Sequence, residues 1–150
     1  MVPFLECSSP QGGRAVLLSI KPRYSQLIVT GVKRVEFRRV WAAEPVRAIA
    51  IYSSSPEQKI VGLVEVKSVE VASLTRLWKF NEELGGGLTR AELRNYFVNK
   101  KVGYAVLLGE RLIPSQPVAP TKLASPFRAP QSFRYLTESE LKRIVRSMMT

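Results

Sequence analysis

The sequence has no histidine, no aspartate and one cysteine, Cys7. These absences exclude whole classes of chemistry. A Ser-His-Asp triad cannot be assembled, nor can Cys-His catalysis. A zinc ion would find one thiolate and no imidazole. A two-metal nuclease centre would have to be built from glutamate alone, because all twelve acids are Glu. The single cysteine rules out an internal disulfide and fits a reducing compartment. No apolar run approaches the ~20 residues of a membrane span. The opening residues MVPFLECSSPQGG lack both a basic n-region and an apolar h-region. No signal peptide, a cytoplasmic location and no membrane partner are therefore expected. There is no GxxxxGK[ST] phosphate loop. The triple glycine Gly85–Gly87 follows a helix-like segment and reads as a turn.

Positive charge is what the chain has in excess. Lys and Arg number 23 against 12 acids, a net charge of +11. That balance favours a polyanion, nucleic acid before an acidic membrane surface. The alternative is a basic protein whose charge serves no particular partner. A length of 150 residues suits a single packed domain. We read residues 1–13 as a loose arm and 14–150 as one domain, ending in a helix at about 137–148.

The stretch from Ser19 to Arg39 is the richest. An apolar run ends at Ile20, and Pro22 suits a first helical position. Tyr24, Leu27 and Ile28 recur at helical spacing, and Gly31 fits a helix end with positive φ. A period of two follows. It sets Val32, Arg34, Glu36 and Arg38 on one side of a strand and Lys33, Val35, Phe37 and Arg39 on the other. Seven Lys or Arg residues and one Glu occupy Arg14 to Arg39, so Glu36 is a carboxylate among cations.

Further strands are expected at Arg47–Tyr52, Ile60–Val71 (bending near Ser68) and Val102–Leu108. A proline-rich edge segment is expected over Leu112–Pro130. Ser73 can cap one helix. Thr89–Glu92 and Thr137–Glu140 have the form of capping boxes for two more. The order β-α-β-β-β-α-α-β-β-α supports an α+β architecture: a mixed, mostly antiparallel β-barrel with flanking helices.

The run Gly31-Val32-Lys33-Arg34-Val35-Glu36-Phe37-Arg38 resembles the G-x-K-x-x-E-x-R signature of the ASCH domain, a PUA-like fold. SIKPRY, IYSSSP, VGLVEV, GYAVLL and PQSFRYL resemble further ASCH segments in the same order. The likeness covers residues 14–136 and is nearest to the branch called transcription regulators or coactivators. It implies a ligand cleft at Lys33, Glu36 and Arg38. The alternative for those residues is an ion network bracing the barrel. Other family members deacetylate N4-acetylcytidine with a Lys, a Thr and a Glu. The Lys falls on Lys33, the Thr falls on Glu36, and the Glu falls near Glu82–Gly87, at a glycine. Still others are ribonucleases.

The candidate nucleic-acid-binding set is Lys21, Arg23, Tyr24, Lys33, Glu36, Arg38, Tyr52, Ser53, Gln131 and Ser132. If the chain is an enzyme, Lys33 and Glu36 are the catalytic candidates. Lys21 and Arg23 flank a helix start, where free N–H groups favour an anion, or they simply solvate it. Tyr24 can stack on a base or sit in the core. Trp41 can stack on a base or close the barrel end. The leading expectation is a module binding RNA or single-stranded nucleic acid, with no cofactor and no metal. The alternatives are a hydrolase of RNA or a modified nucleoside, and a protein-interaction domain in a transcription or RNA-processing complex.

Overall fold

The computed structural model describes residues 3–5 and 13–150. Of the loose arm expected over residues 1–13, the rest lies outside the described residues. Within it, the short turn Pro3–Leu5 buries Phe4 and Leu5 in the core.

The elements run β1 (Arg14–Ile20), α1 (Pro22–Val29), β2 (Val35–Arg38), β3 (Val46–Ser53), β4 (Lys59–Ser73), α2 (Leu74–Glu83), α3 (Arg90–Tyr96), β5 (Val102–Leu112), β6 (Phe133–Leu136) and α4 (Glu138–Met148). The local signals explain the helix starts. Pro22 opens α1. The Ser73 hydroxyl accepts from the Arg76 N–H. Both capping boxes are formed, at Thr89–Glu92 and Thr137–Glu140. Gly31 has φ +84°, a conformation a side chain resists.

The fold is mixed α+β. Six strands form one sheet in the order β2-β5-β4-β3-β1-β6. β1 and β3 run parallel and every other pair is antiparallel. The barrel expected from sequence is incomplete: β2 and β6 are the two ends of the sheet and do not hydrogen-bond to each other. Side chains span the gap. Arg38 Nη2 donates to Ser132 Oγ at 2.9 Å, and the Trp41 and Phe133 rings lie 6.0 Å apart. The edge strand expected over Leu112–Pro130 contributes only an isolated bridge, Val118 with Ile60. Prolines at 114, 117, 120, 126 and 130 have no N–H to give a ladder. The strand falls instead at β6, where four residues pair with β1.

Both faces of the central strands are buried. Leu17, Ala48, Ala50 and Leu63 pack under Leu141, Ile144 and Met148 of α4. Val16, Leu18, Ile49 and Ile51 pack with Ile28 of α1. A third cluster holds Val35, Phe37, Ala72 and Ala105 beneath Leu77 of α2 and Leu93 of α3. α1 and α3 thereby stand on either side of the free edge of β2.

Candidate functional site

The gap beside β2 is a cleft of about 440 Å³. One wall is the end of β1 and the start of α1, with Ser19, Lys21 and Tyr24. The other comes from α3, with Glu92, Asn95 and Tyr96. Lys33, Glu36 and Arg38 form the floor, and Gln131 closes one end.

Strict alternation would turn Lys33 away from Glu36. The chain avoids this because β2 begins only at Val35. Before it, the Lys33 N–H donates to Leu27 O and the Arg34 N–H to Leu84 O. This stitched turn re-aims Lys33. Its Nζ lies 3.6 Å from Glu36 Oε1 and donates to Gly86 O at 2.5 Å. The ammonium also sits 5.3 Å from the Tyr24 ring centre and 5.5 Å from that of Phe37.

Gly86 is held by a backbone clip. Asn81 Nδ2 donates to Leu88 O, Asn81 Oδ1 accepts from the Leu88 N–H, and Asn81 O accepts from the Gly86 N–H. A Cβ at Gly86 would lie 2.2 Å from Asn81 Oδ1, so only glycine fits. The triple glycine thus anchors Lys33 from behind through the Gly86 carbonyl.

Lys33 is 3% exposed. Burial pushes its pKa below the usual lysine value, and the Glu36 carboxylate opposes the shift. Glu36 Oε2 accepts from Arg38 Nη1 at 3.2 Å. Arg38 then reaches Ser132 through its other nitrogen. The result is a continuous polar row, Lys33–Glu36–Arg38–Ser132, across the gap in the sheet.

Arg23 points elsewhere. Its guanidinium forks onto Glu92 at 2.8 and 3.2 Å, tying α1 to α3 at the mouth of the cleft. Glu92 is lowered to about 2, first by the Thr89 backbone N–H and then by Arg23. Tyr52 is buried against Phe127, and Ser53 is buried in a hydrogen bond with Ser25. Neither lines the cleft. Glu92, Asn95 and Tyr96 do line it, and sequence reasoning did not place them there. The capping box marked the start of α3, but no local signal says that α3 faces α1.

A model of the ASCH domain matches residues 18–111. The chain belongs to the ASCH domain family. A curated relative, an ASCH domain-containing ribonuclease from Zymomonas mobilis, is 27% identical over 140 residues, covering 88% of this chain and 90% of its own length. The crystal structure of an ASCH protein from Zymomonas mobilis superposes with a TM-score of 0.80 at 25% identity, covering 89% of this chain and 94% of that one. The N-terminal domain of Staphylothermus marinus McrB shares the fold at 13% identity, with a TM-score of 0.59. The stretch Glu82–Gly87, near which the amidohydrolase glutamate was expected, supplies the Gly86 carbonyl to Lys33. Among the described residues, no group of three Cys, His, Asp or Glu could hold a metal ion. None of the described helices is long and apolar enough to cross a membrane.

Proposed function

We propose that this ASCH domain binds RNA as an unpaired strand in the cleft. The observation that carries the reading is the row Lys33–Glu36–Arg38 on the floor of a slot walled by Tyr24 and Tyr96. Either tyrosine offers a ring on which an unstacked base can lie, as in single-stranded RNA readers. Lys21 and Arg38 supply phosphate contacts. Glu36 orients both neighbouring cations and offers carboxylate lone pairs to a base N–H. The relative named as a ribonuclease supports an RNA ligand.

RNA affinity should fall steeply with salt, because each neutralised phosphate releases counterions. Arg38→Ala combined with Lys21→Ala should lower the magnitude of the slope of log K against log salt by about 1.4. Affinity indifferent to ionic strength, or no binding at low salt, would favour a protein partner in a transcription or RNA-processing complex.

A second reading, strand cleavage, is favoured by the placement of Lys33 on the cleft floor beside Glu36 and Arg38, where burial eases loss of its proton. A neutral amine can take the proton of a ribose 2′-hydroxyl as that oxygen attacks the adjacent phosphorus. Arg38 stabilises charge on the phosphoryl oxygens, and the departing 5′-oxygen takes a proton from water, whose hydroxide is neutralised by the proton Lys33 gained. The products are a 2′,3′-cyclic phosphate and a 5′-hydroxyl. Deacetylation of N4-acetylcytidine is not expected. Glu36 stands where the resemblance puts the threonine hydroxyl that this chemistry needs. Chromatography of a reaction at high protein concentration should show no cytidine release. Robust turnover abolished in both Lys33→Ala and Glu36→Gln would make the protein an amidohydrolase.

A further inference from the structure

The second half of β4 leaves β3 behind. Their ladder ends at Glu65, and beyond it β4 pairs with β5 alone. β2, β5 and this part of β4 therefore form a three-stranded wing. One face of the wing is covered, since Phe37, Ala72 and Ala105 lie beneath α2 and α3.

The other face is buried at Glu36 and Val106 and open along the end of β4 and the start of β5. Residues opposite each other in a ladder share a face. The register sets Arg38, Tyr104 and Val71 in one row and Glu36, Val106 and Val69 in the next. Val102, two residues before Tyr104, joins the same face. Val71 is 57% exposed, Val102 48% and Val69 37%, while Tyr104 is half-buried. No carboxylate other than Glu36 stands on these rows. Glu70 faces the covered side and pairs with Arg76. Exposed Arg39 and Lys101 flank the strip.

We propose that this open face is a second subsite for single-stranded RNA, continuous with the cleft through Arg38, where a nucleobase lies on Tyr104 and Val71. The inference rests on the RNA-binding reading of the cleft. A second copy of this chain is the competing occupant, drawn by the valines and the free edge of β4. A net charge of +11 opposes self-association and favours a polyanion. The strip also begins at a guanidinium already placed for phosphate.

Fluorescence anisotropy with 5′-fluorescein oligouridylates of two and six nucleotides, at fixed low salt, tests the subsite. The hexamer should bind at least about tenfold tighter than the dimer, with one stacked base worth about that factor. Tyr104→Ala should remove the advantage and leave the dimer unchanged. Tyr104→Phe should keep it. Val71→Glu, at an exposed position that tolerates substitution, should remove it by charge repulsion. Hexamer binding of wild-type strength in both Tyr104→Ala and Val71→Glu would overturn the subsite while leaving the cleft reading intact. Sedimentation showing a dimer that Val71→Glu dissolves would overturn it in favour of self-association. If neither oligouridylate binds, the cleft reading falls and the subsite with it.

Discussion

Among the described residues two cations are buried, and they are buried for different ends. Arg47, on β3, has no exposed surface. It holds both Glu138 oxygens at 2.9 and 3.0 Å and bonds the Leu5 and Gly13 carbonyls. It thus joins the N-terminal turn, the start of β1 and the first turn of α4. Only its Nε lacks a partner. Lys33 is nearly as buried, but it lines a cleft. A guanidinium stays charged and reaches several partners in one plane, which suits a strut. An amine yields its proton when desolvated, which suits a site. Burial of charge marks both residues. What separates them is whether a molecule from outside can reach the charge.

The contrast can be broken most sharply at Arg47. Arg47→Met should cost about 3 kcal/mol, because it removes the buried guanidinium that joins three segments and leaves the Leu5 and Gly13 carbonyls without that donor. A melting temperature lower by roughly 6–12 °C is expected. RNA affinity, measured well below that temperature, should not change. An unaltered melt would mean Arg47 is no strut.

Lys33→Met should do the reverse. Glu36 keeps Arg38 as a partner, and losing the amine's desolvation cost offsets the donor lost by the Gly86 carbonyl, so stability should move by less than about 1 kcal/mol. RNA affinity should drop about tenfold, the worth of one charge-assisted contact. The pH dependence sharpens the case. The folded pKa of Lys33 lies below its ordinary value of 10.5. Between the two values the unfolded chain binds more protons, so stability should rise with pH across that window. The methionine variant should lose this rise. Denaturant unfolding of both proteins from pH 7 to 10.5 reads the difference, and parallel curves would contradict the assignment.

The smallest effect is expected at Glu92, an exposed carboxylate. Its pKa is lowered to about 2, so its stabilisation is present above the ordinary value of 4.5 and lost as pH falls through 2. Wild type should melt above Glu92→Gln at pH 7, and the gap should close between pH 4.5 and 2. A gap independent of pH would point to shape rather than charge.

Much of this was legible in the sequence, and the legible part was local. The caps at Ser73, Thr89 and Thr137, Pro22 at the start of α1 and Gly31 at its end all act within a few residues. The order of strands and helices followed from them. The pairing of Glu36 with Arg38 followed from period two. The aim of Lys33 did not, because backbone bonds to Leu27 and Leu84 fix it from outside the strand. Arg23 read as a free cation because its partner Glu92 lies 69 residues away. The parallel pairing of β1 with β3 and the open sheet are likewise long-range outcomes that no window of sequence contains.

The unclosed sheet also decouples two properties that most barrels tie together. In a hoop of strands the bore cannot widen without tearing ladder bonds, so capacity and stability trade against each other. Here the clasp across the opening includes the Arg38–Ser132 hydrogen bond, and no ladder bond joins the two edges. Releasing that bond costs about 1.5–3 kcal/mol, the range for a hydrogen bond to a charged group. A guest that brings its own acceptor for the guanidinium offsets most of that cost. Substitutions along the clasp can therefore retune what the slot admits while the folded hoop stays as firm as before.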